Sequence, residues 1–177
     1  MPRPDGNVYL VGPMGSGKTT IGQRVAVILG LEFLDCDHEL ESHTGASVNL
    51  IFDVEGEAGF RERETRMLAE LTERRGILLA TGGGVVLREE NRRMLSETGL
   101  VVYLNTSVQQ QIKRLSRDRS RPLLQTPDRR AKLMRLAEER NPLYRSIADI
   151  EFPAQNRGLD SVARDLADTI RRFGSKE

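Results

Sequence analysis

The sequence has few of the residues that mark several common classes of protein. It contains no Trp and a single cysteine, Cys36, and aromatic residues make up only 5% of its 177 residues. The shortage of aromatic side chains argues against a surface on which nucleic-acid bases stack. One cysteine cannot form an internal disulfide, which is typical of a protein from a reducing compartment.

Long apolar runs and an excess of one charge are also missing. No apolar run approaches the roughly 20 residues of a membrane-spanning helix, and residues 1–6 lack the apolar core of a signal peptide. The 27 basic and 26 acidic residues give a formal net charge of +1, hence no general attraction to nucleic acid or an anionic membrane. Since the pattern also shows no large apolar surface for a dimer, we expect a cytoplasmic monomer.

One motif that the sequence does contain is typical of phosphate binding. Residues 12–20 read Gly-Pro-Met-Gly-Ser-Gly-Lys-Thr-Thr, which has the spacing G-x-x-x-x-G-K-[ST]. Glycines let backbone N–H groups approach an anion, and a following helix directs its free N–H groups to the same anion. Lys18 is expected to reach the β- and γ-phosphates, and the Thr19 hydroxyl to bind Mg²⁺. The alternative is a glycine-rich turn without a ligand.

Alternating strands and helices predict a parallel sheet with helices on both faces. Short, continuously apolar runs are typical of strands buried on both faces, and segments with helical spacing separate them. The predicted strands cover residues 7–11, 31–35, 77–81, 100–104 and 147–152. The predicted helices cover about residues 17–29, 39–52 (broken at Gly45), 60–74, 88–97, 107–117, 128–140 and 159–173. Asn141 and Pro142 are expected to interrupt or kink the chain. The prediction is a three-layer α/β/α fold with five parallel strands and a single domain, residues 1–177.

Two carboxylates follow the second predicted strand. Ligands of open α/β sheets bind beyond the carboxyl ends of the strands, so Asp35 and Asp37 are expected to face the phosphate loop. Residues two apart on extended backbone point the same way, which lets these carboxylates converge. In the alternative interpretation, Asp37 only caps a helix that begins near His38.

Two further groups of residues have both a functional and a structural interpretation. Gly82, Gly83 and Gly84 follow the third strand, and they provide either bare backbone for a closely approaching ligand or a flexible turn. Arg61 and Glu64 share one face of a helix. The residues alone favour a surface ion pair there, with a contribution of a few tenths of a kcal/mol.

The segment at residues 116–127 is polar, basic and bracketed by prolines. It is interpreted as a lid over an anionic ligand, and the alternative is a run of charged residues exposed to solvent.

A phosphate loop, paired carboxylates and a basic lid together predict phosphoryl transfer to a small alcohol or to a nucleotide phosphate. A regulatory GTPase would carry Asn-Lys-x-Asp after a strand, whereas residues 104–107 read Leu-Asn-Thr-Ser. A catalytically silent nucleotide-binding module is disfavoured because Lys18, Thr19, Asp35 and Asp37 are all present.

In their order and spacing these motifs resemble those of the shikimate kinase family over nearly the whole chain. The matching pieces lie at residues 12–20, 35–37, 60–64, 81–84, 121–124 and 140–144. The resemblance implies the P-loop kinase fold, with a helical substrate-binding region at about residues 36–64 and a lid at about 116–127. It further implies ATP-dependent phosphorylation of the 3-hydroxyl of shikimate to shikimate 3-phosphate, on the route to chorismate and aromatic amino acids. Another small P-loop kinase, such as a gluconate kinase or a nucleoside monophosphate kinase, is the alternative.

For the donor side, the resemblance implies that ATP binds together with one Mg²⁺ ion. Thr19 would hold the metal with Asp35, the latter through water. Arg114 would lie against the adenine, Arg121 would contact the transferring phosphate, and Arg157 would complete the adenine pocket. The full ATP-binding set is Gly15, Ser16, Gly17, Lys18, Thr19, Thr20, Arg114, Arg121 and Arg157.

For the acceptor side, the resemblance implies that Arg61 and Arg140 bind the shikimate carboxylate, with Glu64 orienting Arg61. This replaces the surface-pair interpretation. Asp37 would bind substrate hydroxyls and act as the base, and Gly83 would offer its backbone. The substrate-binding set is Asp37, Arg61, Gly82, Gly83, Gly84 and Arg140, and the catalytic set is Asp37, Lys18 and Arg121. Cys36, so near the metal, is expected to confer sensitivity to thiol reagents without a catalytic role.

Overall fold

The computed structural model describes residues 6–116, 126–153 and 157–175. The strands are Val8–Val11 (β1), Glu32–Asp35 (β2), Ile77–Ala80 (β3), Leu100–Asn105 (β4) and Ile150–Pro153 (β5). The helices are Lys18–Leu29 (α1), Cys36–Thr44 (α2), Val48–Thr72 (α3), Glu89–Thr98 (α4), Val108–Leu115 (α5), Arg129–Ile147 (α6) and Leu159–Gly174 (α7). A short 3₁₀ helix, Val85–Leu87, was not predicted. None of these helices combines the length and apolar composition that a bilayer-spanning segment requires.

The five strands form one parallel sheet in the order β2-β3-β1-β4-β5. The central strand β1 pairs with both β3 and β4. The chain fills one side of β1 with β2 and β3 and then crosses to the other side for β4 and β5. Where the strand order reverses in this way, the loops at the carboxyl ends diverge and leave a crevice in which ligands bind. The topology therefore locates the candidate site at the carboxyl end of β1.

Alternate residues of β1 point into two separate cores. Val8 and Leu10 pack with the apolar faces of α1 and α7, whereas Tyr9 and Val11 pack with α2, α3, α4 and α6. All four side chains are buried, as expected for a central parallel strand covered on both faces. The predicted three-layer α/β/α fold is confirmed.

The sequence predicted an interruption or a kink around Pro142, and the structure shows that the helix is not interrupted there. Helix α6 continues through Pro142 to Ile147, so β5 begins at Ile150 rather than at residue 147. An internal proline removes one helical hydrogen bond and costs about 3 kcal/mol. Here the helix is held on both sides of the proline, because Arg140 and Tyr144 are buried. The Tyr144 ring also stacks on that of Tyr103, with 5.1 Å between centroids.

The predicted substrate-binding region, residues 36–64, corresponds to α2 and the first part of α3. The break predicted at Gly45 is present, since α2 ends at Thr44 and α3 begins after Ser47, which caps it through Leu50 N. The two helices predicted on either side of residue 56 are nearly continuous. Gly56 (φ 74°, ψ 178°) alone departs from helical geometry and kinks α3.

Candidate active site

A cleft of about 710 Å³ opens at the carboxyl ends of β1, β2 and β3. It brings together nearly all of the residues that the sequence singled out. Its walls include Gly15, Gly17, Lys18, Thr19, Thr20, Asp35, Asp37, Arg61, Gly82, Gly83, Gly84, Arg114, Arg140 and Arg157. Ser16 is fully buried in the loop between β1 and α1. Arg121 and most of the predicted lid lie outside the described residues.

The loop between β1 and α1 has the backbone of an anion-binding site. Gly15 (φ 78°) and Gly17 (φ 89°) both have left-handed backbone, which favours glycine. Gly17 precedes α1 and offers no side-chain cap, so the first N–H groups of the helix remain available to an anion. Lys18 folds back over the loop, and its Nζ donates hydrogen bonds to the carbonyls of Gly12 (2.6 Å) and Pro13 (2.9 Å).

Thr19 and Asp35, which both line the cleft, are hydrogen-bonded to each other. The Thr19 hydroxyl donates a hydrogen bond to Asp35 Oδ2 at 2.8 Å. The other carboxylate oxygen of Asp35 accepts from the backbone N–H groups of Asp37 (3.0 Å) and His38 (3.2 Å), so Asp35 is the N-cap of α2. The capping role considered for Asp37 therefore belongs to Asp35. The predicted extended backbone is also wrong, because α2 begins at Cys36, but both carboxylates line the cleft.

The glycine segment after β3 lies close to acidic and basic side chains of the cleft. A methyl group at Gly82 would lie 2.9 Å from Glu64 Oε2 and 3.4 Å from Asp37 Oδ1. A methyl group at Gly83 would lie 3.6 Å from Arg140 Nη1 and within 4 Å of the phosphate loop. The segment therefore presents backbone without side chains to the carboxylates of Asp37 and Glu64 and to the phosphate loop.

Arg61 and Glu64 form a buried ion pair, which overturns the surface pair favoured by the residues alone. Arg61 is 8% exposed and Glu64 is 1% exposed. Arg61 Nη1 donates to Glu64 Oε1 at 2.9 Å, and Arg61 Nη2 donates to Glu57 Oε1 at 3.4 Å. Burial raises the pKa of Glu64, and the Arg61 charge opposes this effect. The pair is buried because this face of α3 packs against the glycine segment at Gly84 rather than facing solvent.

Arg140 is a second buried guanidinium in the same cleft. It is 4% exposed, and in the described part of the chain its Nε has no hydrogen-bond partner. The Tyr144 hydroxyl, one turn further along α6, donates to the Gly83 carbonyl at 2.5 Å. Burial raises the pKa of Tyr144. The sequence assigned no role to Tyr144, although its spacing of four from Arg140 on one helix predicts that the two side chains meet.

Arg114 lies beside the phosphate loop, and Arg157 lines the same cleft just before the start of α7. Arg114 Nη1 donates to the Gly15 carbonyl at 2.9 Å. Arg157 pairs with Asp165 of α7. Both side chains line the same cleft as Lys18, as expected for residues beside a bound nucleotide.

Cys36 does not behave as the sequence suggested. Its side chain is 1% exposed, and burial, followed by the charge of Glu64, raises the pKa of the thiol. The thiolate is the reactive form of cysteine, and burial in apolar surroundings suppresses it. The structure therefore contradicts the expected sensitivity to thiol reagents.

The oxygen atoms at Thr19 and Asp35 fit one Mg²⁺ ion bound together with phosphates. No cluster of three His, Cys, Asp or Glu side chains suited to a metal occurs within residues 6–116, 126–153 and 157–175. Mg²⁺ does not need such a cage, because it keeps several waters and takes one or two protein groups in addition to substrate phosphates. A hydroxyl and a carboxylate oxygen 2.8 Å apart, beside the phosphate loop, meet that need.

Comparison with known proteins identifies the family. The family model described as shikimate kinase matches residues 14–171. A curated shikimate kinase of Pasteurella multocida (strain Pm70) is 51% identical over 165 residues, which make up 93% of this chain and 94% of the relative. The chain belongs to the shikimate kinase family. The family predicted from the sequence is confirmed, and with it the class of enzyme, a kinase.

Solved structures agree with this assignment. The structure of a shikimate kinase from Acinetobacter baumannii in complex with shikimate has a TM-score of 0.89 and 50% identity, covering 97% of this chain and 93% of that chain. A gluconokinase from Sinorhizobium meliloti 1021 has a TM-score of 0.61 and 16% identity, covering 98% of this chain and 96% of that chain. The second similarity shows the fold alone, so membership of the shikimate kinase family is favoured over the gluconate kinase alternative.

Proposed function

We propose that this protein transfers the γ-phosphoryl group of ATP to the 3-hydroxyl of shikimate, giving shikimate 3-phosphate and ADP on the route to chorismate and aromatic amino acids. One observation carries the proposal. Two buried guanidinium groups, Arg61 and Arg140, lie in the same cleft as a phosphate-binding loop. That combination suits a phosphate donor together with a small acceptor that bears a carboxylate.

On the donor side, the triphosphate would bind in the loop between β1 and α1. The left-handed glycines and the uncapped start of α1 supply N–H groups, and Lys18 supplies a positive charge. In the free protein Lys18 Nζ bonds the carbonyls of Gly12 and Pro13, so the β- and γ-phosphates would take over part of this hydrogen bonding. We assign Gly15, Ser16, Gly17 and Thr20 to the same phosphate site.

Thr19 and Asp35 would hold Mg²⁺, Asp35 through a bound water. The ion, when bound with ATP, would neutralise charge on the β- and γ-phosphate oxygens. Asp35 is well fixed for this role, because its other oxygen is held by two N–H groups at the start of α2.

On the acceptor side, Arg61 and Arg140 would bind the shikimate carboxylate. Arginine suits this task because its planar, permanently charged guanidinium pairs with a carboxylate through two hydrogen bonds. Arg140 supports the assignment most strongly, because its Nε has no hydrogen-bond partner in the described chain although the side chain is buried. The backbone of Gly82, Gly83 and Gly84 would border the sugar-like ring.

Asp37 would bind the acceptor hydroxyl and receive its proton. As the bond from the 3-oxygen to the γ-phosphorus forms, the bond between that phosphorus and the departing ADP oxygen breaks. The hydroxyl proton passes to the Asp37 carboxylate. A positioned base of this kind contributes about 10²–10⁴-fold to the rate. The position of Asp37 in the cleft, beside Gly82, supports the assignment.

Three arginines complete the proposal. Arg121, from the lid at residues 116–127, would contact the transferring phosphate and help to exclude water. Arg114 and Arg157 would border the adenine, a role supported by the contact of Arg114 with the phosphate loop and by the position of Arg157 in the same cleft.

We further propose that the chain forms a single kinase domain that acts as a cytoplasmic monomer. The exposed large apolar side chains of the described chain, Val27, Leu50, Val54 and Met134, are distributed over three helices. A stable dimer usually buries a broader apolar surface. Light scattering coupled to gel filtration tests this proposal against the chain mass of 19.9 kDa.

The function is tested by measuring ADP release with several acceptors in parallel. Shikimate, gluconate and nucleoside monophosphates are each supplied with Mg²⁺ and ATP, and ADP is detected by a coupled assay. We expect shikimate alone to stimulate ADP release. Stimulation by gluconate or a nucleotide, without stimulation by shikimate, would contradict the proposal.

A further inference from the structure

Gly84 lies directly against the guanidinium group of Arg61. A methyl group at position 84 would be 2.5 Å from both Cζ and Nη1 of Arg61, much closer than an ordinary van der Waals contact. The Gly84 backbone (φ −93°, ψ 6°) is accessible to other residues, so its conformation does not require glycine. What requires glycine here is the space that the guanidinium occupies.

We propose that Gly84 is a positioning residue that sets the depth and orientation of Arg61 in the acceptor site. The inference rests on the proposed function, in which Arg61 binds the carboxylate of shikimate. Gly84 thereby acts through Arg61, in addition to any backbone contact with the substrate.

The guanidinium of Arg61 is fixed from several directions at once. Glu64 holds Nη1 at 2.9 Å, and Glu57 holds Nη2 at 3.4 Å. The Phe60 ring lies 5.1 Å from Cζ. Gly84 also lies against the guanidinium, which comes close to the backbone because this residue has no side chain. A side chain at position 84 would push the guanidinium away from this surface and disturb its pair with Glu64.

Displacement of Arg61 should affect binding more than folding. The clashing atoms belong to the end of a long side chain, which can move by rotation about its own bonds. A guanidinium forms two parallel hydrogen bonds with a carboxylate only in a narrow range of positions. Shifts of about 1 Å in groups that position a substrate can lower activity roughly a hundredfold. Gly84→Ala should therefore fold and bind ATP normally but bind shikimate poorly.

Gly99 provides a matched control at the opposite end of the sheet. A methyl group there would lie 2.5 Å from the Tyr9 ring and 2.9 Å from the Asn7 carbonyl, a clash nearly as close as that at Gly84. The groups that it meets are a buried ring and backbone, which cannot move aside easily. Gly99→Ala should lower the melting temperature and leave the KM for shikimate unchanged.

The experiment measures KM for shikimate, KM for ATP and melting temperature for the wild type, Gly84→Ala, Gly99→Ala, Arg61→Lys and the Gly84→Ala/Arg61→Lys double variant. We expect Gly84→Ala to raise the KM for shikimate by about tenfold or more, with the KM for ATP changing less than about twofold. In the Arg61→Lys background, where no planar group lies over residue 84, the same change should raise that KM by less than about twofold.

Three results would overturn the inference. One is an unchanged KM for shikimate in Gly84→Ala while Arg61→Lys raises it. The second is an equal effect of Gly84→Ala in both backgrounds. The third is an unchanged KM for shikimate in Arg61→Lys itself. This result would also contradict the proposed carboxylate site, so it distinguishes failure of the proposed function from failure of the inference alone. If Gly84→Ala does not fold, recovery of folding in Gly84→Ala/Arg61→Ala supports the inference, and failure of both to fold overturns it.

Discussion

Tyr144 donates a hydrogen bond from its hydroxyl to the backbone carbonyl of Gly83, with 2.5 Å between the oxygens. The bond connects α6, which carries Arg140, to the glycine segment at the carboxyl end of β3. The Tyr144 ring also stacks on that of Tyr103. One tyrosine thus anchors the helix that carries Arg140 to the backbone of the glycine segment.

Tyr144→Phe should weaken the acceptor site while keeping the packing of the ring. The Gly83 carbonyl loses its donor, which we expect to lower the free energy of unfolding by about 1 kcal/mol. The KM for shikimate should rise by roughly threefold or more, because the glycine segment that borders the acceptor loses its hydrogen bond to α6. Urea unfolding and steady-state kinetics provide the two measurements. Tyr103→Phe is the control, since its hydroxyl makes only a 3.5 Å contact with Asn105; an equal KM effect in both variants would refute the role of the Tyr144 hydroxyl.

Arg140→Lys should impair the binding of shikimate selectively. Lysine keeps the positive charge but cannot form two parallel hydrogen bonds with a carboxylate. We expect the KM for shikimate to rise by about tenfold, far more than the KM for ATP. Equal increases in both constants would indicate that Arg140 serves the nucleotide or the lid instead.

Asp37→Asn should remove the base without changing the size of the side chain. We expect kcat to fall by at least about a hundredfold, the usual scale for a general base. Circular dichroism and ATP binding should stay close to the wild type, because the cap of α2 belongs to Asp35. Near-normal turnover in this variant would remove Asp37 from the catalytic role.

Much of the fold follows from local sequence. The strand Val8–Val11 is apolar throughout because it is buried on both faces, and the loop after it is recognisable because phosphate binding fixes the spacing of Gly12, Gly17 and Lys18. Ligands of open α/β sheets bind beyond the carboxyl ends of the strands, and this generalisation correctly predicted that Asp35 and Asp37 lie in the cleft. Asp37 nevertheless lies on a helix and not on extended backbone.

The parts that sequence alone missed depend on contacts between distant segments. The surface ion pair favoured for Arg61 and Glu64 was wrong because the periodicity of one helix does not reveal that Gly84 will cover it. The helix end predicted near Arg140 was wrong for a similar reason, since burial of Arg140 and Tyr144 on either side of Pro142 outweighs the intrinsic cost of proline. The family resemblance corrected the interpretation of Arg61 and Glu64. Neither the residue pattern nor the resemblance corrected the predicted end of the helix near Pro142.

Cys36 should react slowly with thiol reagents in the folded protein. Burial raises the pKa of its thiol well above the ordinary value for cysteine, which disfavours the reactive thiolate, and the side chain is 1% exposed. We expect labelling by iodoacetamide to be at least about a hundredfold faster in denaturing urea than in buffer, because native labelling requires opening of the structure. Mass spectrometry over time measures both rates. Fast labelling of the native protein would show that α2 opens readily at its first residue.

The proposed function requires that this cleft transfer the γ-phosphoryl group of ATP to the 3-hydroxyl of shikimate. The most direct measurement is phosphorus and proton NMR of the product formed from ATP, Mg²⁺ and shikimate by the wild-type protein. We expect one phosphoryl group on the 3-oxygen for each ADP released. Formation of ADP and inorganic phosphate without phosphorylated shikimate, or phosphorylation at another hydroxyl, would contradict it.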